Sequence, residues 1–425
     1  MEAVAHRKYS LFLKRRFCPI FAATFLGAFN DNMVRSGLVV LIAYSARHGI
    51  TLPVRAEILV TICSAMLVVP LLFFSHIAGA LADKYEKSTL VKCMKIAEVM
   101  IMICVYYGFQ HQNIFLLMGI LFVSGTHTTF YNPIKFSILP DHLHNKELLA
   151  ANGFMAGGSY LAVLFGLIAG GFLVDLPGNV IGAAALTIAG AGLFASNFIP
   201  ASAIAHSSMK IRFHLLSGMK EVIIHAARDK TVFYSILALS WFLVIGSVYM
   251  SQFANYAHLV VHGDSEVYIL FLTVFSVGIA IGSLVCDTLL KGEISLKLTP
   301  WAALGISTFT YLMVFTTPPT AQGPLMDAAA FLSVARHWPM LGCMLMVAVC
   351  GGIYIVPLYA MLQSRTDPQY RSRVMAGSNL SDAAMVTTAV LVCALLLWCG
   401  FAITDLFLLV ATLNLAVVYY ARRIF

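Results

Sequence analysis

Apolar runs of roughly 20 residues or more recur twelve times along this chain, and nothing else in it narrows the possible folds so far. They fall at 17–46, 56–82, 89–109, 113–139, 147–174 and 179–199, and then at 231–257, 266–290, 297–317, 338–363, 373–399 and 402–420. A hydrocarbon core about 30 Å thick is crossed by about 20 helical residues, so each run is a candidate span. Charged residues make up 11% of the chain and apolar ones 60%, against about 25% charged in soluble domains. An all-α integral membrane protein with twelve transmembrane helices is expected.

The spans form two groups of six, separated by the one long stretch poor in apolar residues. The expected organisation is a six-helix bundle over 1–200, a cytoplasmic linker over 201–230, and a second six-helix bundle over 231–425. Phe213, Leu216, Met219, Val222 and Ile223 set against Lys210, Lys220 and Arg228 suggest an amphipathic linker helix lying on the membrane surface. With the N-terminus inside, 22 of the 27 Lys and Arg fall in cytoplasmic segments, and only Arg47, Arg55 and Arg336 fall opposite. That bias places both termini in the cytoplasm of a multi-pass inner-membrane protein. It also accounts for the net charge of +8 through anionic bilayer lipids, without nucleic acid. Nine cysteines occur without a CxxC pair and thirteen histidines without HExxH spacing, so no metal or cofactor is expected. Cys63, Cys104, Cys286, Cys343 and Cys393 read as small core residues. No cleavable signal is expected, because the first apolar run is too long for one.

The first run carries Asn30, Asp31, Asn32 and Arg35 near its middle. An ionisable group at bilayer depth costs about 2.5–3.5 kcal/mol and marks a substrate or ion path by default. Arg35 follows Asp31 by four residues, so the two either form a structural salt bridge or share a functional face. Lys135 and Asn132 lie in the fourth run, Glu98 in the third, Gln252 and Asn255 in the seventh, and Asn379 and Asp382 in the eleventh. Lys135 either snorkels to the interface or faces inward; Glu98 is placed to pair with Lys95 or Lys135. The amides and Asp382 either line a cavity or join helices by hydrogen bonds. The glycines of the fifth run, Gly153 and Gly157 among them, and Gly278 and Gly282 of the eighth let helices approach closely. The two groups also echo each other. Pro133 and Pro357 close the fourth and tenth runs, and Asn152 and Asn379 open the fifth and eleventh. This fits parallel repeats related by an axis along the membrane normal.

The loop after the second run reads Gly79-Ala-Leu-Ala-Asp83-Lys84-Tyr-Glu-Lys87-Ser-Thr-Leu90. It resembles the G-x-L-A-D-R/K-x-G-R/K-x-x-x-L signature of the major facilitator superfamily, with Glu86 at the usual second glycine. The resemblance implies a major facilitator fold in which Asp83 shuts the cytoplasmic side against the start of the eleventh helix. Gly79, Lys84, Lys87, Arg371 and Arg373 are the accompanying gating candidates. A carboxylate suits exposed helix N-terminal amides. In the second half, Gly282-Ser-Leu-Val-Cys-Asp287 keeps a decayed form of the motif.

Phe25-Leu-Gly-Ala-Phe-Asn-Asp31-Asn32, Tyr131-Asn-Pro133-Ile-Lys135-Phe-Ser-Ile-Leu-Pro140, Leu149-Ala-Ala-Asn152 and Val356-Pro357-Leu-Tyr-Ala360 are similar to motifs of the bacterial lysophospholipid transporter family. That resemblance implies inward flipping of lysophospholipids by alternating access, with lysophosphatidylethanolamine the leading substrate. Some relatives are fused to an acyltransferase. No H-x-x-x-x-D box occurs here, so a separate acyltransferase is the expected partner, and no enzyme activity is expected. Some relatives carry an arginine in the seventh helix, where this chain has Ser240-Trp241-Phe242. A zwitterionic headgroup needs an acid for its ammonium and a base for its phosphate. Asp31 would meet the first, and Lys135 with Arg35 the second, with Asn30, Asn32, Asn132, Gln252, Asn379 and Asp382 as further lining. The competing readings are proton-coupled efflux of amphipathic drugs and a scaffold subunit that hands lipid to an acyltransferase.

Overall fold

The computed structural model describes residues 11–12, 14–43, 45, 56–202, 229–318 and 324–424. Among them, twelve helices of 18 residues or more stand where the apolar runs predict them. They are α1 Cys18–Ala43, α2 Ala56–Lys84, α3 Lys87–Gln110, α4 Ile114–Ser137, α5 Asn145–Leu173 and α6 Gly178–Ser196, followed by α7 Lys230–Asn255, α8 Ser265–Leu289, α9 Thr299–Thr316, α10 Trp338–Arg365, α11 Arg371–Trp398 and α12 Ile403–Ile424. Eight of these, α4 to α8 and α10 to α12, are long and apolar enough to cross a membrane by length and composition. Of the rest, α1 carries Asp31 and Arg35, and α3 carries Lys92, Lys95 and Glu98. The expected amphipathic linker helix falls on 203–228, outside the described residues, as do Arg47 and Arg55.

Helix starts are set by side chains that take up the free N–H groups of the first turn. Asn113 caps α4, Asp229 caps α7 and Asp264 caps α8. Pro133 and Pro357 lie within α4 and α10 near their ends.

The first six helices pack as one group, with α1 against α5 and α6, α3 against α4 and α6, and α2 against α4. The last six form another, with α10 against α8 and α9, α9 against α12, and α7 against α11. The first group has an apolar core of its own, and that of the second, which includes Tyr249, Phe253, Phe271, Phe275 and Phe407, extends onto Leu149, Ala156 and Leu164 of α5. The groups meet where α5 packs on α8 and α10, and where α2 and α4 pack on α11. Small residues make this meeting possible: a methyl at Gly153 of α5 would lie 2.6 Å from the Ser283 carbonyl oxygen on α8. Cys104, expected in the core, is exposed on the outside of α3, whereas Cys63, Cys286 and Cys393 are buried.

Glu86 replaces the usual glycine between α2 and α3 without disturbing the turn, because it is the cap of α3 with an ordinary φ of -65°. Its carboxylate accepts from the Thr89 N–H at 2.9 Å, from the Thr89 hydroxyl, and from the Ser202 N–H at 2.8 Å. Partial burial alone would raise its pKa, but these donors outweigh burial and lower it from 4.5 to about 2. A folded-state value below the unfolded one means the support is complete above 4.5 and is lost as pH falls toward 2. Hydrogen exchange of the first-turn amides of α3, corrected for intrinsic rates, should accelerate through that window. Glu86→Gln should already exchange faster at neutral pH and show no such window.

Candidate functional site

Hydrogen bonds between the two groups cluster at one end of the bundle, around Asp83. This side chain is fully buried at the close of α2. One carboxylate oxygen accepts from the Ser372 N–H at 2.8 Å, and the other from the Arg373 N–H at 3.2 Å and Nε at 3.1 Å. Ser372 and Arg373 open α11, so the acid meets both the unpaired first-turn amides and a guanidinium. Gly79, one turn earlier, allows this approach: a methyl there would lie 2.7 Å from Ala376 Cβ and 2.8 Å from Arg373 Cα. Arg373 also stacks on Tyr370, its guanidinium carbon 4.4 Å from the ring centre.

Two further contacts tie the same end. Asp141, in the short helix Leu139–His142, accepts from Lys87 Nζ at 2.6 Å and from Arg371 at 3.2 Å. Asn152 of α5 and Gln363 of α10 form a reciprocal pair: each amide nitrogen donates to the other's oxygen, at 2.7 and 2.9 Å. Both are buried to 1% or less. Of the gating candidates, Asp83, Gly79, Lys87, Arg371 and Arg373 are thus gathered at this seam. Lys84 is not; it lies over Tyr85.

Deeper in the bundle are two cavities, of about 450 and 220 Å³, that share Leu71 and Asn132. The smaller is lined by Asp31, Asn32, Arg35, Ser124 and Thr128, and the larger by Tyr160, Ser247, Asn379 and Asp382. Adjoining at Leu71 and Asn132, they form a chamber whose smaller part lies among α1, α2 and α4 and whose larger part lies between the two helix groups; Asp31 and Arg35 face the first part and Asp382 the second. Asp31 accepts from the Thr128 hydroxyl at 3.0 Å. The expected Asp31–Arg35 ion pair does not form; Arg35 opens onto the chamber instead. Lys135 lies one turn past Asn132 on α4, partly buried, within electrostatic reach of Asp31. Its ammonium is 5.0 Å from the Phe136 ring centre, and no acidic partner for it exists among the described residues. Asp382 accepts from the Ser240 hydroxyl at 2.6 Å.

Other expected lining residues point elsewhere. Asn30 is fully buried against α6, donating to the Ala185 carbonyl at 3.1 Å. Gln252 accepts from Asn255 at 3.2 Å and lines neither cavity. Lys95, which sequence alone groups with the loop cations, is buried two turns inside α3, paired with Glu98 at 2.6 Å. Asp141, Gln363 and Thr128 were not singled out by sequence. Their partners lie 54 to 230, 211 and 97 residues away in the chain, beyond the reach of any local pattern.

The profile of the Major Facilitator Superfamily matches residues 20–383. The chain belongs to this superfamily. Similarity to this superfamily's lysophospholipid transporters extends over most of its length. It is 25% identical to the "Lysophospholipid transporter LplT" of Enterobacter sp. (strain 638) over 374 residues, which cover 86% of this chain and 84% of that one. With the protein of the same name from Yersinia enterocolitica it shares 27% over 362 residues, covering 83% and 80%. Among solved structures, the fucose transporter FucP "in the outward conformation" superposes with a TM-score of 0.71 at 14% identity, covering 96% of this chain and 98% of that one. The human organic anion transporter MFSD10 gives 0.71 at 14%, covering 96% and 99%. The fold of this major facilitator protein is therefore that of membrane transporters, and its named relatives are transporters, not enzymes.

Breaking one partner of a buried ion pair costs on the order of 3 kcal/mol, and Asp83 is such a partner. Asp83→Asn should loosen the α2–α11 seam. Single cysteines at Ser75 and Ala376, whose side chain and carbonyl are joined by a 2.7 Å hydrogen bond, report it: their cross-linking yield should fall severalfold in the variant.

Proposed function

We propose that this transporter moves lysophospholipids across the membrane, inward, by alternating access of its two six-helix halves around the central chamber. The observation that carries this reading is the pairing of opposite charges left open in the chamber. Asp31 meets it with only a hydroxyl donor, while Arg35 and Lys135 stand nearby without acidic partners among the described residues. A lone charge inside a bundle is costly, so the arrangement is suited to a ligand that brings both signs. In this reading the headgroup ammonium sits on Asp31 and the phosphate on Arg35 and Lys135. Asn32, Asn132, Asn379 and Asp382 complete the polar wall. The largely apolar α7 and α11 side of the chamber, with Leu243, Met250, Ala383 and Val386, receives the start of the acyl chain. The relatives' name supports the substrate class.

In this reading the contacts at the Asp83 end act as the inner gate, which is shut while they are made. The halves are 1–200 and 231–425, joined by the 201–230 linker, with both termini in the cytoplasm and the protein in a bacterial inner membrane. A separate acyltransferase would receive the cargo and restore its second chain.

Uptake of labelled lysophosphatidylethanolamine into spheroplasts tests the reading. Asp31→Asn and Lys135→Ala should each lower initial uptake by tenfold or more, roughly the loss of one charge-assisted contact, at normal membrane abundance. Unchanged uptake in both, or transport that follows an imposed pH gradient and ignores lysophospholipid, would overturn it.

A further inference from the structure

The residues that touch the Lys95–Glu98 pair and those that touch Asp31 are neighbours on two different helices. A methyl at Gly27 of α1 would lie 2.7 Å from Lys95 Nζ and 3.6 Å from Glu98 Oε2, and Asp31 follows Gly27 by one turn of the same helix. On α4, the Tyr131 ring centre is 5.2 Å from Lys95 Nζ, and Thr128, one turn earlier, donates to Asp31. Residues three and four apart share a helix face. Both helices therefore place the ion pair one turn from Asp31, toward the Asp83 end.

Within this cluster stand two acids and one buried cation. Lys95 Nζ lies 2.6 Å from Glu98 Oε2, with the two side chains 1% and 3% exposed. Asp31 is within electrostatic reach of both, as of His127. His127 stacks on Tyr131 with its Nε2 2.8 Å from the Met94 carbonyl oxygen. The other oxygen of Glu98 is buried without a hydrogen-bond donor, so the acid is held there by Lys95 alone. A lysine has a flexible four-carbon stem and a compact charge. Asp31 is also within electrostatic reach of Lys95, so without Glu98 it is the acid left to pair with it.

We infer that Glu98 determines headgroup specificity at one remove: by holding Lys95, it keeps the Asp31 carboxylate unpaired for an incoming ammonium. Glu98 is a positioning residue, buried away from the chamber. The inference rests on the lysophospholipid reading and deepens it, because it separates ammonium-bearing headgroups from those without one. Loss of Glu98 turns Lys95 to Asp31 and fills the ammonium site from within. The phosphate side, at Arg35 and Lys135, is untouched.

The test compares binding of lysophosphatidylethanolamine and lysophosphatidylglycerol, with the same acyl chain, to the purified full chain in nanodiscs. Glu98→Gln should weaken the ethanolamine lipid at least about tenfold and leave the glycerol lipid within about threefold of wild type. Lys95→Met/Glu98→Gln removes the competing cation and buries no lone charge; it should bring the ethanolamine lipid back to within about threefold of wild type. Glu98→Asp, which keeps the negative charge, should discriminate as wild type does. Equal weakening of both lipids by Glu98→Gln, or a double variant no better than the single, would overturn the inference. Should the single variant fail to fold, the folded double variant decides: loss of the ethanolamine lipid there also overturns it. Wild-type protein that binds neither lipid removes the lysophospholipid reading itself, and this inference with it. Wild-type binding of both with no effect of Glu98→Gln removes the inference alone.

Discussion

Within a membrane there is no bulk water to answer a charge, so each ionised side chain must be met by the protein or left for a ligand. The two ends of this rule are both visible here. At the α2–α11 seam, Asp83 receives two backbone N–H groups and a guanidinium, and Asp141 receives a lysine and an arginine. Such acids are fully answered, and they hold helices together. In the chamber Asp31 has a threonine hydroxyl and Arg35 has no acidic partner, and Lys135, one turn past Asn132, has none either among the described residues. Saturated charge fastens helices, whereas unsaturated charge is left available to a ligand, and the two kinds are told apart by chemistry instead of by position.

Much of the architecture was legible because lipid imposes a crude but strong pattern, a run of about 20 apolar residues per crossing. The observed helices begin and end within a few residues of those runs. The Asp83 contacts were legible for another reason: Gly79, Asp83 and Lys87 keep the spacing of a known motif, and Arg371 and Arg373 stand at a helix start. What sequence does not carry is direction. Successive residues on a helix point about 100° apart, so Asn30 and Asn32 could not both face the chamber with Asp31. Asn32 lines it, while Asn30 bonds to α6. The same limit applies to Lys95, two turns into α3 and aimed inward at Glu98. Glu86 is the opposite case, since a departure from the motif becomes the cap that makes its glycine unnecessary.

Small residues bring the two helix groups together at two places. Gly79 of α2 lies against the backbone of α11, and Gly153 of α5 lies against the backbone of α8. Where Asp83 closes the first contact, the decayed motif of the second half leaves Asp287 buried near the end of α8. The second contact is tightened by backbone packing, and beside it α5 and α10 are joined by the Asn152–Gln363 amides. The two contacts are thus chemically different seams.

That difference has an electrical consequence. The Asn152–Gln363 clasp is neutral on both sides, so parting it transfers dipoles but no net charge through the membrane field. The α2–α11 seam separates an acid from an arginine, and a field acts on charge at about 2.3 kcal/mol per elementary charge per 100 mV. A membrane voltage would therefore act on the parting of the α2–α11 seam and not on that of the Asn152–Gln363 clasp, so the two joints would answer to different forces.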